Sequence, residues 1–412
     1  MKFITKHQIL SDAQHAFRKS RSCETQLITT LHDLTTNHNN NRTTDIAILD
    51  FSKAFDVVPH QRLLQKLSHY GMRNKLLGWI KAFLTNRTQR VVVKGKYSPW
   101  DPVLSGVPQG SVLGPHLFIL FINDITESVT STTRLFADDC IMFRTINAPE
   151  DETSLQNDLT RLVDWSNKWG MKFNAAKCKV MRICRSLDPG KTNYNIMGET
   201  LDEVKEDKYL GVIIQNNLKW DKQTHHAASK ASKMLNFIQR NFHQCSKSIK
   251  ENLYHAFIQP HLEYASSAWN PGTECNQKTL QKVQRRAARF VQGNFRRRSS
   301  VTKMLKDLGW NSIESRRQTQ RLTTLHKMFN DIIDIDQDQY IKPKPEREAR
   351  RGNDMQFTEF QCSSTPFVES FFPESIRLWN TLPQHVIDTV SSQTFKVSIQ
   401  NTDIQPSLHP TN

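Results

Sequence analysis

Two adjacent aspartates, Asp138 and Asp139, constrain the fold of this chain more than any other feature of its sequence. Apolar, β-type residues flank them over 133–144, which predicts a hairpin with both carboxylates at its tip. Four apolar residues at 46–49 precede Asp50 and predict a buried strand that ends in a third carboxylate. Partly buried carboxylates repel one another unless a cation neutralises them, so we expect these positions to meet in one sheet around bound metal.

The residue types at these positions favour magnesium. Carboxylate oxygens are hard ligands, and Mg²⁺ usually takes one or two of them together with water and substrate phosphates. Two ions held in this way can activate an attacking hydroxyl and stabilise a leaving pyrophosphate. An isolated Asp–Asp pair is more often an ordinary polar turn, and the carboxylate of Asp50 at the end of a core strand is what favours the metal interpretation.

A glycine-rich segment lies between these acidic positions. Residues 105–115 contain three glycines and two prolines, which predicts a tight turn that leads into a helix over 112–124. The backbone N–H groups of such a turn can face an incoming anion or base. Taken alone, the segment is equally consistent with a structural loop.

The remaining hydrophobic pattern predicts a mixed front half and a helical back half. Strands are predicted at 91–97, 179–184 and 208–214, and helices at 60–70, 74–85, 152–169, 222–243, 247–269 and 276–292. A charged, proline-containing segment at 341–363 predicts a linker or mobile loop, and a small element follows at 366–399.

Positive charge is concentrated in the back half. The chain carries 56 Lys and Arg against 40 Asp and Glu, a net charge of +16. Residues 280–321 hold twelve of the positive residues and two of the negative ones, a difference of +10. A solvated helix face is the simpler interpretation, but an excess this local favours a phosphate-contacting surface, with Arg285, Arg286 and Arg289 as candidate nucleic-acid contacts.

Cysteine usage and hydropathy exclude several other classes of protein. The seven cysteines are scattered without a CxxC pair, which argues against a disulfide scaffold and against a zinc finger. No apolar run approaches the ~18–20 residues that a membrane span needs. We therefore expect an intracellular protein in a reducing compartment, nucleus and/or cytoplasm, with no membrane partner.

Several segments, in their order along the chain, resemble motifs of a reverse transcriptase. Motif A resembles AILDFSKAFDVVPH at 47–60, motif B resembles LSGVPQGSVLGPHLFILFIND at 104–124, and motif C resembles LFADDCIMF at 135–143. The finger motif of this family is similar to residues 13–27, its motif D to residues 170–180 and its motif E to residues 208–220. Later stretches of the same elements are similar to residues 253–272 and 371–383. The ordered series is similar to the non-LTR (LINE-type, Jockey-like) retrotransposon class.

The resemblance implies an α+β fold, with a right-hand polymerase palm and partial fingers followed by a helical thumb and a small C-terminal element. The corresponding boundaries are 1–49 for the fingers, 50–220 for the palm, 221–340 for the basic thumb, 341–363 for a linker and 364–412 for the C-terminal element. Only 49 residues precede Asp50. We therefore expect an N-terminally truncated member of the class with an intact palm and metal site and with weak or absent polymerase activity.

The resemblance also implies an activity, RNA-directed DNA polymerisation, in which a dNTP is joined to a DNA primer on an RNA template with two Mg²⁺ or Mn²⁺ ions. By position in the motifs, Asp50, Asp138 and Asp139 match the catalytic, metal-binding aspartates, and Lys177 matches a lysine that can protonate pyrophosphate. The remaining matches concern binding of nucleotide and nucleic acid. Arg18 matches a basic finger residue, and Phe55 matches a steric gate against a ribose 2′-OH. Gln109 and Gly110 match the turn that contacts the base pair, and the primer grip is matched by Tyr209, Leu210 and Gly211.

Two other functions compete with this interpretation. A catalytically inactive, nucleic-acid-binding remnant of such an element has the same basic surface and differs only in metal-dependent nucleotide incorporation. A carboxylate–metal nuclease ranks last, because it needs neither the PQG turn at 108–110 nor an aromatic residue after the first aspartate.

Overall fold

The computed structural model describes residues 2–186, 190–345, 354–400 and 402, and these residues form two compact units. Unit 1 contains the described residues of 2–26 and 41–205, and unit 2 contains 27–40 together with the described residues from 206 onward. Strands and helices mix in unit 1, and helices dominate the described part of unit 2. The predicted α+β class is therefore confirmed, whereas the boundaries of fingers, palm and thumb stay a prediction.

Unit 1 is built on helices that surround a central sheet. Its helices are α1 (Lys2–Lys6), α2 (Cys23–Asn39, which continues into unit 2), α3 (Ala54–Val57), α4 (His60–His69), α5 (Asn74–Leu84), α6 (Leu113–Phe121) and α7 (Pro149–Trp169). Its strands are β1 (Thr43–Leu49), β2 (Arg87–Gln89), β3 (Val92–Val93), β4 (Lys96–Tyr97), β5 (Asp101–Val103), β6 (Thr132–Phe136), β7 (Asp139–Ile146), β8 (Lys179–Ile183), β9 (Asn195–Ile196), β10 (Glu199–Thr200) and β11 (Asp202–Glu203).

The central sheet has the strand order β11–β8–β1–β7–β6. Strand β1 lies in its middle and pairs antiparallel with both β7 and β8. The apolar residues at 46–49 that predicted this strand are mostly buried, and helices α6 and α7 contribute to the same hydrophobic core. Because β1 has neighbours on both sides, the position of its last residue is fixed by two hydrogen-bonded ladders.

The acidic hairpin is confirmed, with one difference in its turn. Phe136 pairs with Asp139, so the two turn residues are Ala137 and Asp138, and Asp139 already begins β7. Ala137 takes a positive φ of 54°, a backbone conformation that two-residue hairpin turns require. The predicted two-residue acidic turn is therefore shifted by one residue toward the N-terminus.

Two predicted strands are wrong because each is a hairpin. Residues 91–97 form β3 and β4 around Lys94 and Gly95, and residues 208–214 belong to β12 (Glu206–Tyr209) and β13 (Val212–Gln215), joined by Leu210 and Gly211. All four turn residues have positive φ, between 44° and 84°. An X–Gly pair with this geometry closes a tight turn and reverses the chain within an otherwise apolar run.

Unit 2 is largely helical. Besides β12 and β13 it contains α8 (Asp221–Asn241), α9 (Lys247–Leu253), α10 (Gln259–Glu263), α11 (Glu274–Gln292), α12 (Val301–Asp307), α13 (Ile313–Phe329), α14 (Gln337–Tyr340), α15 (Thr365–Val368), α16 (Phe371–Asn380), α17 (Gln384–Ile387) and α18 (Ser392–Gln400). None of the described helices is long and apolar enough to cross a bilayer.

The helix predicted at 247–269 is shorter and less regular than its pattern indicates. A π-helical turn at Tyr254–Ile258 separates α9 from α10, and the helix ends at Glu263. Pro260 lacks the N–H that an α-helix would use there, and widening the preceding turn accommodates it. Ala265 then takes a positive φ of 51°, which turns the chain away from the helix axis.

Part of the segment predicted as a linker packs against the rest of unit 2, although most of its described residues are exposed. Pro343 and Phe357 form an isolated β-bridge, and Phe357 is buried against Trp379. Residues 346–353 of this segment, and residues 401 and 403–412 of the predicted C-terminal element, lie outside the described residues.

Candidate active site

The register of the central sheet brings the three predicted carboxylates together. Leu49 pairs with Cys140, so Asp50 follows directly beside Asp139 at the end of β1. Burial and the negative charge of Asp50 raise the pKa of Asp138. Partial desolvation, together with the charges of Asp138 and Asp50, raises the pKa of Asp139 to about 6, although part of this residue is still exposed to solvent. The carboxylates therefore repel one another, as adjacent anionic ligands do without a cation.

The hairpin turn that presents Asp138 is held by a residue that the sequence did not identify. Gln14 is buried, and its Oε1 accepts hydrogen bonds from the N–H groups of Ala137 and Ala16, at 3.0 Å and 2.9 Å. The Ala137 N–H would otherwise be left without a partner in a turn with positive φ. A glutamine in a segment without periodicity gives no sequence signal for this role.

Asp50 is fixed from the opposite side by the segment that precedes β8. The Asn174 N–H donates to the carbonyl of Asp50 at 2.8 Å, and Phe51 stacks on Phe173. This contact places Lys177 next to the site, with its Nζ 3.3 Å from Asp50 Oδ2. The predicted acid and the predicted metal ligand therefore lie side by side.

The donor set fits a hard divalent cation. Asp50 Oδ2 is buried and makes no hydrogen bond within the described residues, although the ammonium of Lys177 is close. Among those residues no group of three His, Cys, Asp or Glu side chains is arranged to hold a metal ion by itself. Substrate phosphates and water would complete the coordination of Mg²⁺.

The predicted nucleotide-contacting turn is tied to the helix that follows Asp50. Gln109 Nε2 donates to Asp56 Oδ1 at 2.9 Å, and Ser105 Oγ donates to the Asp56 carbonyl at 2.8 Å. Gly106 has a φ of 84°, and a Cβ there would lie 2.6 Å from the same carbonyl, so only glycine allows this approach. Asp56 therefore positions Gln109 through its carboxylate.

Phe55 and Gly110 occupy different environments within this region. Phe55 is half-buried, its ring stacks on Phe118 at 4.3 Å, and its carbonyl accepts the Val107 N–H. Its ring therefore contributes to packing whether or not it also acts as a steric gate. Gly110 is exposed, and a Cβ there would meet open space, which leaves room for a base pair beside the turn.

Arg18 makes its contacts within its own segment of the chain. Its guanidinium donates to the carbonyls of Ser11 and Gln14, at 2.7 Å and 3.2 Å, and lies 3.6 Å from the carboxylate of Asp12. Contact with a triphosphate would compete with these bonds, so its predicted role in nucleotide binding stays a prediction.

The predicted primer grip is the turn between β12 and β13 in unit 2. Tyr209 is buried, whereas Leu210 and Gly211, which form the turn, are half-buried. Tyr264 donates its hydroxyl to the Leu210 carbonyl at 2.9 Å, and a Cβ on Gly211 would lie 3.0 Å from its ring. Any contact of Tyr209 with a primer would therefore be indirect.

The three candidate arginines lie on α11 in unit 2 and differ in their hydrogen bonds and in their exposure to solvent. Arg286 donates to Asn236 Oδ1 at 2.7 Å, and Arg289 donates to the carbonyls of Arg296 and Ser299. Arg285 is exposed. With Lys278 and Lys282, these arginines line a shallow basic groove of about 430 Å³ along the helix.

The chain is similar to known proteins over most of its length. Residues 1–214 match the family described as "Reverse transcriptase (RNA-dependent DNA polymerase)". The probable RNA-directed DNA polymerase from transposon BS of Drosophila melanogaster is 26% identical over 70% of this chain and 33% of its own length. The RNA-directed DNA polymerase from mobile element jockey of Drosophila funebris is 29% identical over 60% of this chain and 28% of its own length.

These relatives agree with the predicted retrotransposon class, and the chain spans about a third of their length. Among solved structures, apo telomerase from Candida tropicalis has 12% identity and a TM-score of 0.42, over 80% of this chain and 53% of that one. The family match covers more than half of the chain and contains the acidic hairpin, the glycine-rich turn and the Lys177 segment. The chain therefore belongs to the reverse transcriptase family, and its similarity to jockey-type polymerases agrees with the non-LTR class that its motifs predicted.

Proposed function

We propose that this chain carries the catalytic part of a non-LTR retrotransposon RNA-directed DNA polymerase, which adds a dNTP to the 3′-OH of a DNA primer on an RNA template. One observation carries the proposal: Asp50, which directly follows β1, and Asp138, on the β6–β7 turn, lie at the same end of the central sheet, close enough for the charge of Asp50 to raise the pKa of Asp138. The turn of Gln109 is tied by hydrogen bonds to the helix that begins four residues after Asp50. Carboxylates and a nucleotide-contacting turn are thus held in one unit.

The chemistry follows from this arrangement. When bound, two Mg²⁺ or Mn²⁺ ions supply charge neutralisation at the triphosphate, and Asp50 and Asp138 are the residues that would hold them. The primer 3′-OH releases its proton to solvent as its oxygen attacks the α-phosphorus. The bond between the α-phosphorus and the oxygen that bridges to the β-phosphorus breaks, and pyrophosphate leaves. Lys177 lies beside Asp50 with an exposed ammonium, where it can give a proton to that leaving group.

Primer extension tests the proposal directly. The chain should extend a DNA primer on a homopolymer RNA template when Mg²⁺ or Mn²⁺ is present and should stop when EDTA removes the metal. Binding of primer–template without incorporation under every metal condition would instead identify a catalytically inactive, nucleic-acid-binding remnant. Metal-dependent degradation of the template without incorporation would identify a nuclease.

Phe55→Val should admit ribonucleotides. If the ring of Phe55 blocks a ribose 2′-OH, the smaller side chain should raise the ratio of rNTP to dNTP incorporation. Losing the contact with Phe118 should also lower the free energy of unfolding by about 1–3 kcal/mol. Phe55→Tyr is the matched control, because it keeps the ring and should keep discrimination. A loss of stability with an unchanged sugar preference would show that Phe55 is only a packing residue.

Neutralising the basic groove should weaken binding to RNA and DNA alike. Lys282→Gln combined with Arg285→Gln removes two exposed charges from α11 while leaving the hydrogen bonds of Arg286 and Arg289 in place. Each lost phosphate contact should reduce the slope of log K against log salt by ~0.7–0.9. Lys191→Gln with Lys205→Gln makes the same charge change in unit 1 and should leave the slope unchanged. Equal slopes in the native chain and the α11 variant would assign these residues to a solvated face.

A further inference from the structure

The hairpin region between α5 and the Gln109 turn exposes several large apolar side chains to solvent. Strand β2 pairs with β5, and β3 pairs with β4 further out. Every residue from 88 to 102 is exposed. Val91, Val92, Val93, Tyr97 and Trp100 are each more than half exposed, from 54% for Val92 to 65% for Val91. A cluster of large apolar side chains on a projecting hairpin marks an interaction site.

The aromatic rings of this hairpin are organised by an arginine. The guanidinium carbon of Arg90 lies 4.0 Å from the ring centre of Tyr97 and 4.5 Å from that of Trp100. Such cation–π contacts hold both rings in defined positions at the surface. The rings are therefore presented to solvent in a fixed arrangement.

The charge of the hairpin selects the kind of partner. Residues 87–103 contain Arg87, Arg90, Lys94 and Lys96 against Asp101 alone, a net charge of +3. Aromatic rings interleaved with cations are the combination that binds single-stranded nucleic acid, since bases stack on the rings while phosphates meet the positive charges. A second protein chain would leave these charges desolvated unless it were acidic, so charge complementarity favours the nucleic acid.

The base of the hairpin connects this surface to the candidate active site. Arg87 donates to the Gly106 carbonyl at 3.3 Å, and the Gly106 N–H donates to the Val58 carbonyl at 2.8 Å. The hairpin is thus anchored on the turn that presents Gln109. A strand lying on the hairpin would run next to the position where a template base meets the incoming nucleotide.

We propose that Arg90, Tyr97 and Trp100 form a stacking platform for the unpaired RNA template ahead of the base being copied. This inference rests on the proposed function, because it identifies the hairpin's ligand as the template strand of that reaction. Lys94 and Lys96 contact the phosphates of the same strand.

Equilibrium binding of two labelled substrates tests the platform. One is a blunt RNA–DNA duplex, and the other is the same duplex with an unpaired RNA template extension of about eight nucleotides. Tyr97→Ala with Trp100→Ala should weaken binding of the extended substrate by about tenfold or more, since stacking contributes roughly 1–3 kcal/mol per base. Affinity for the blunt duplex should change by less than twofold.

Two controls guard this comparison. Trp79→Ala removes an equally exposed indole from α5 and should leave both affinities unchanged. Tyr97→Phe with Trp100→Phe keeps an aromatic ring at both positions and should retain binding of the extended substrate even if the alanine variant loses stability. Unchanged binding by the alanine variant, an equal loss on both substrates, or an equal loss in Trp79→Ala would overturn the platform.

The binding assay also separates this inference from the proposed function. Binding requires no catalysis, so a chain that extends no primer can still show the selective loss on the extended substrate. A chain that extends primers but binds the extended and blunt substrates equally would keep its proposed function and lose the platform. A native dimer that the alanine variant abolishes, with no effect on RNA binding, would show that the hairpin joins two copies of the chain.

Discussion

Asp138→Asn should reduce metal-dependent nucleotide incorporation by about 10²–10³-fold or more while leaving the chain folded. The substitution preserves the size of the side chain and removes the negative charge that would hold a cation at the hairpin turn. Because burial and Asp50 already raise the pKa of Asp138, the charge costs free energy in the absence of metal. The midpoint of thermal unfolding should therefore stay constant or rise.

The same variant should also respond less to metal in a measurement that needs no activity. A cation that binds only the folded state raises the free energy of unfolding by an amount that grows with the cation concentration relative to its dissociation constant. Mg²⁺ or Mn²⁺ should therefore raise the melting temperature of the native chain more than that of Asp138→Asn. Glu199→Gln, on an exposed carboxylate outside the central sheet, is the matched control and should retain both incorporation and the metal response. Equal incorporation by the native chain and Asp138→Asn would remove this carboxylate from the reaction.

Local pattern predicted the part of the site that depends on neighbours in sequence. The apolar run before Asp50 and the runs on both sides of Asp138 determine strands, and their pairing places both residues at one end of the sheet. The glycine-rich segment also predicted the turn of Gln109, since Gly106 is required where the chain approaches Asp56. These features depend on residue type and spacing, which a sequence displays.

Contacts between distant residues were not predictable in the same way. Gln14 holds the turn of Asp138 across 123 positions, and Asp56 holds Gln109 across 53. Neither partner is marked by periodicity or composition. The two hairpins misread as strands are a different case, because Lys94–Gly95 and Leu210–Gly211 were visible between apolar residues and are a known signal for tight turns.

A buried ion pair on β1 is a further feature that spacing did not reveal. Asp45 is fully buried, and its carboxylate accepts two hydrogen bonds from Arg182 on β8, at 2.7 Å and 2.6 Å. Tyr194 donates its hydroxyl to the same carboxylate at 2.6 Å, and Glu152 contacts the guanidinium from α7. The hydrogen bond with Asp45 is the main reason that the pKa of Arg182 is raised. Strand β1 thus carries a structural carboxylate in its interior and a candidate catalytic one at its end.

Asp45→Ala should lower the free energy of unfolding of unit 1 by about 3–5 kcal/mol, because it removes the fully buried carboxylate that pairs with the buried Arg182 guanidinium. Adding Arg182→Met should recover part of that loss, since the double variant no longer buries an unpaired charge. Glu274→Ala breaks the exposed pair with Lys278 and should cost about 0.5 kcal/mol or less. Chemical denaturation of the four chains measures these differences. A loss for Asp45→Ala no larger than that for Glu274→Ala, or a double variant no more stable than Asp45→Ala alone, would show that this pair does not hold β1 in the sheet.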